Sequence, residues 1–103
     1  TAAYGSCRLE TGTYVGNGKD GGQTPNSLTF SGTPYFVIIG TAANGLILHM
    51  VRSAPHGTLL NGVNDTIYLT WTGKTVKWYS NYSAGYQMNE NGTTYFYIAF
   101  TQL

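Results

Sequence analysis

The sequence predicts an all-β fold, an antiparallel β-sandwich of about six to seven strands. Three observations carry this. Strand-favouring Val, Ile, Thr, Tyr, Phe and Trp dominate, and Gly, Asn, Pro and Ser clusters interrupt them at short intervals. No stretch carries the 3.6-residue apolar period of an amphipathic helix. Residues 65–72 and 75–80 alternate in step around a Thr72-Gly73-Lys74 turn, as a hairpin does.

The elements follow in order. A short strand is expected over residues 12–15. In 26–31, Leu28 and Phe30 share one face. Pro34 leads into 35–40, where Phe36, Val37, Ile38 and Ile39 make both faces apolar, so this strand should be central and covered on both sides. In 46–52, Leu46, Leu48 and Met50 oppose Ile47, His49 and Val51. Two turn positions are open for the hairpin, and either one puts Ile67, Leu69, Trp71, Val76 and Trp78 on one side, as one core wall. Tyr68, Lys77 and Tyr79 then point the other way. The last strand, 94–101, sets Phe96, Ile98 and Phe100 against Tyr95, Tyr97, Ala99 and Thr101. Such a doubly apolar strand predicts an intersubunit interface. Residues 17–24, 53–62 and 81–91 read as loops.

At 103 residues the chain suits one domain, over residues 12–103, with 1–11 as an N-terminal arm. Only 9% of residues are charged, against roughly 25% in ordinary domains. With a net charge of +1, the chain lacks the Lys/Arg clusters of a nucleic-acid footprint. No apolar run approaches the roughly 20 residues of a membrane helix, so membrane insertion is not expected.

Chemistry-bearing motifs are sparse. Gly16, Gly18 and Gly21 match a dinucleotide fingerprint by letter, yet Gly22 and Pro25 follow where that motif needs a helix, so a loop is expected. The carboxylates are Glu10, Asp20, Asp65 and Glu90, and the histidines are His49 and His56. No Gly-x-Ser-x-Gly elbow occurs. The chain therefore reads as a non-enzyme, with a glycan-processing activity as the distant alternative. One Cys and two separated His lack zinc spacing, so neither metal nor cofactor is expected, although Asp20 or Asp65 with backbone carbonyls leaves calcium open.

The most suggestive cluster surrounds the 81–91 loop. Tyr79, Tyr82 and Tyr86 lie near Asn81, Gln87 and Asn89. Tyrosine offers a flat face and one hydroxyl at low entropic cost. Sugars present apolar C–H faces rimmed by hydroxyls, so these six residues are the candidate ligand site.

Stretches 12–18, 27–39, 76–79, 86–89 and 92–99 together resemble domains in tail fibres and minor structural proteins of phages and prophages. The second and last are also similar to the H-type lectin pattern, in which a Phe-containing strand runs through Pro into an apolar strand and the final strand reads aromatic-Ile-Ala. The resemblance implies a homotrimeric sandwich at the virion tail, binding a host surface polysaccharide or glycan. The alternative is a trimerising cap of a fibre without a ligand.

Overall fold

The computed structural model describes residues 7–60 and 66–103. Among them lie β1 (Cys7–Val15), β2 (Asn26–Thr29), β3 (Pro34–Gly40), β4 (Ile47–Val51), β5 (His56–Leu59), β6 (Ile67–Thr72), β7 (Thr75–Ser80) and β8 (Thr94–Gln102). No helix among the described residues is long and apolar enough to cross a membrane.

The strands pair antiparallel in the order β1-β8-β3-β4-β5-β6-β7-β2. The expected all-β sandwich takes the form of a single sheet curled over on itself. The fold line is β5, which pairs with β4 through Leu48/Leu59 and with β6 through His56/Tyr68. One layer is then β1-β8-β3-β4 and the other β6-β7-β2. Their inner faces meet through Val37, Ile39, Leu48 and Met50 on one side and Ile67, Leu69, Val76 and Trp78 on the other, all buried. Full burial of each such side chain contributes roughly 1.5–3 kcal/mol.

The hairpin takes the Gly73-Lys74 turn, so Trp71 faces Val76 and Leu69 faces Trp78. Gly73 has φ 55°, the left-handed conformation such a turn requires. The expected wall is present: Ile67 and Val76 are fully buried, and Trp71 packs against the core.

Two elements depart from the sequence reading. Residues 7–11, read as the end of an arm, form the first half of β1 and pair with β8 from Cys7/Gln102 to Thr11/Ile98. β5 lies within the expected 53–62 loop. The expected start of β6 at Asp65 falls outside the described residues, and the strand is seen from Ile67.

In β8 the tyrosine side faces the core. Tyr95 and Ala99 are buried, whereas Phe96, Ile98 and Phe100 are 52%, 45% and 40% exposed. Neighbouring strands extend this outward face in rows. Leu9 pairs with Phe100, and Phe100 with Phe36, which pairs with Val51. Below them Thr11, Ile98, Ile38 and His49 align in the same way. β3 is thus central, but its outward side is only half-buried.

Glu10 closes one end of the curl. Its carboxylate accepts the Ser31 N–H at 3.0 Å and the Thr101 hydroxyl at 2.7 Å, tying β1 to the connection between β2 and β3.

Candidate functional site

The segment between β7 and β8 contains a single helical turn capped at both ends. Ser83 Oγ accepts the Tyr86 N–H at 3.1 Å, as an N-cap does. At the other end Asn89 N–H reaches the Ala84 carbonyl at 2.8 Å and Met88 N–H the Gly85 carbonyl at 3.2 Å. These are the paired bonds of a Schellman motif, whose left-handed position is filled by Met88 at φ 59°. Glycine normally takes that position, and here burial of the methionine side chain offsets the backbone strain.

Gln87 is fully buried. Its Oε1 accepts the N–H groups of Gly21 and Ser80, both at 3.0 Å. Its Nε2 donates to the Thr24 carbonyl at 2.9 Å and to Asn26 Oδ1 at 3.1 Å. Asn89 is 4% exposed, and its amide donates to Asn17 Oδ1 and the Lys19 carbonyl while its Oδ1 accepts the Asn17 N–H. Both side chains were expected to meet a ligand. Their amide groups are instead used within the fold, where they lock the 81–91 loop to the glycine-rich loop before β2.

The glycines of that second loop serve the same junction. A side chain on Gly16 would run into the Glu90 carbonyl oxygen and the Asn89 backbone. The Gly16 N–H donates to the Thr93 carbonyl, and its own carbonyl accepts the Gly92 N–H. Gly18 and Gly21 take positive φ. The loop expected at this fingerprint-like sequence is present, pinned by these contacts.

The other four candidate residues are partly or fully open to solvent. Tyr82 is 72% exposed and stacks on half-buried Tyr86, with ring centroids 5.1 Å apart and planes inclined by 16°. The backbone N–H of Tyr82 is held by Ser80 Oγ at 3.0 Å. One ring face of Tyr82 is thus covered by Tyr86 and the other is presented outward. Asn81 is exposed beside it.

Tyr79 belongs to a second aromatic group. It stacks on Tyr68 at 5.0 Å, and Tyr68 meets His56 edge-on at 5.4 Å. These three are cross-strand neighbours on β7, β6 and β5, outside the core. The sequence placed Tyr68 and Tyr79 on one face, but His56 was hidden because β5 was read as a loop.

A slot of about 210 Å³ opens where the loop meets the ends of β1 and β2, lined by Tyr14, Asn17, Asn26, Ser27, Trp78 and Asn89 among others. Its floor is aromatic, with the Tyr14 ring edge-on to Trp78 and stacked on Tyr95. Burial pushes the Tyr14 phenol far above its usual value, so it stays protonated and donates to the Met88 carbonyl at 2.7 Å. Ser27 and Asn17 stand at the exposed rim. Among the described residues, no three His, Cys, Asp or Glu side chains group in a way that would hold a metal.

The site therefore combines fixed, solvent-open tyrosines, with Lys77 on the same outward face as Tyr79, and a slot rimmed by amides and hydroxyls. Such a surface can stack on the apolar face of a ring and hydrogen-bond to neutral hydroxyls. No family model, curated protein or solved structure matches the chain.

Proposed function

We propose that this chain is a non-catalytic attachment domain that binds a host cell-surface polysaccharide or glycan, as the receptor-binding end of a homotrimeric phage tail fibre. The observation that carries the binding reading is Tyr82. Tyr82 is 72% exposed, yet its ring is stacked on Tyr86 and its backbone is held by Ser80. A ring ordered before binding loses little entropy when a sugar stacks on it. Asn81, exposed and adjacent in sequence, supplies an amide group for a sugar's rim. The tail-fibre setting rests on the sequence resemblance of residues 12–18, 27–39, 76–79, 86–89 and 92–99.

A second reading, a structural fibre module that assembles without a ligand, is favoured by the exposed row of Phe96, Ile98 and Phe100. A glycan array and a panel of host-cell envelopes separate the two. Retention of the assembled domain on a defined set of glycans supports attachment. No retention on any glycan or envelope leaves the structural module.

A further inference from the structure

We propose that the outward face of the β1-β8-β3-β4 layer is covered by a second copy of this chain. The inference gives a location to the self-association in the reading above, and it stands on a different surface from the tyrosines. Leu9, Val15, Val51, Phe96, Ile98 and Phe100 are each 40% exposed or more and lie on this one layer. Together they make an apolar patch of several hundred Å², comparable with the largest that ordinary monomers expose, roughly 300–600 Å², which often marks a functional surface.

The chemistry of the face selects the occupant. Its outward positions on β1, β8, β3 and β4 carry no Lys, Arg, Asp or Glu. A copy of the same face therefore meets it without like-charge repulsion and without burying an unpaired charge. An anionic membrane surface would call for a rim of Lys and Arg, which these strands lack on this side. The register also favours sheet-on-sheet packing. Rows such as Leu9–Phe100–Phe36–Val51 run straight across four strands, giving a ridged surface that can interdigitate with another sheet about 10 Å away.

The test is sedimentation equilibrium of the whole domain with Ile98→Lys and Val51→Lys variants. The wild-type chain should be a dimer or trimer at about 100 µM, and each lysine should weaken association by about 100-fold or more, since an unpaired charge would be buried. Ile98 and Val51 are about half exposed in the single chain, so both variants should keep the wild-type far-UV spectrum. If one fails to fold, the other decides. A monomeric wild-type chain at that concentration, or a folded variant that still associates like the wild type, overturns the proposal. Failure here is distinct from failure of glycan binding. A monomeric variant keeps each site's intrinsic affinity and loses only the avidity gain, about 10²–10⁴.

Discussion

Trp78 donates its indole N–H to the carbonyl oxygen of Gln87 at 2.7 Å. This bond joins the core wall of β7 to the turn that presents Tyr82 and Tyr86. The Gln87 side chain continues the connection into the loop before β2, so one residue links core, turn and glycine-rich loop.

Replacing Gln87 with Leu keeps most of the volume and removes every one of these side-chain bonds. The Ser80 N–H loses its Gln87 Oε1 acceptor in a buried setting, at about 1–3 kcal/mol, whereas the Gly21 N–H keeps the Ser80 carbonyl at 2.9 Å. Urea denaturation should show a loss of about 1–3 kcal/mol. A variant as stable as the wild type would mean that the loop is not anchored through this amide.

Two glycines near the turn should respond in opposite directions. Gly16→Ala places a methyl group against the Glu90 carbonyl, and this overpacking should cost about 1–3 kcal/mol. Gly85 lies inside the capped helical turn with only Ser83 Oγ at 3.9 Å from an added methyl, and its φ is not positive. Gly85→Ala should therefore stabilise the domain by about 0.4–1 kcal/mol by restricting the unfolded chain. Thermal melts of the two variants should move apart, downward for the first and upward for the second.

Glu10 sets the acid response. Burial pushes its carboxyl upward, but hydrogen bonds from the Ser31 N–H, the Thr101 hydroxyl and the Gly32 N–H outweigh that and hold it below the ordinary carboxylate value. A carboxyl lowered on folding contributes stability above its unfolded value and loses it as pH falls through its folded value. The wild-type urea midpoint should fall on going from about pH 6 to about pH 3, and Glu10→Gln should flatten that limb while lowering the midpoint near neutrality. An unchanged acid limb in the variant would assign the acid response to other groups.

Much of the fold was legible because period-two alternation survives wherever one face is apolar. The Ile67, Leu69, Trp71, Val76 and Trp78 wall needed no knowledge of the turn register. The first half of β1 was hidden for the converse reason. Its inward positions are Arg8, Glu10 and Gly12, and Gly12 is small because the Tyr97 ring occupies the space its side chain would fill. β5 is short, follows Pro55 and contains Gly57, so local preference argued for a loop, and only pairing to both β4 and β6 makes it a strand. For β8, alternation gave the two faces without telling which is inside. Tyr95 turns inward, where its Oη accepts the Glu90 N–H at 2.9 Å. In the candidate site, an amide satisfied by backbone and an amide waiting for a sugar are the same letter. Gln87 and Asn89 were therefore indistinguishable from Asn81 until burial separated them.

Under the proposed function, the ordered, exposed ring of Tyr82 contacts a sugar ring. Isothermal titration of the wild-type domain and Tyr82→Ala with the strongest glycan from the array measures that contact. The wild type should bind saturably. The variant should bind about tenfold more weakly, the loss of ~1.4 kcal/mol expected for one aromatic contact, with an essentially unchanged urea midpoint because the ring lies outside the core. Equal affinity in the two proteins, or no glycan bound by the assembled wild type, would rule out Tyr82 as a sugar-binding ring.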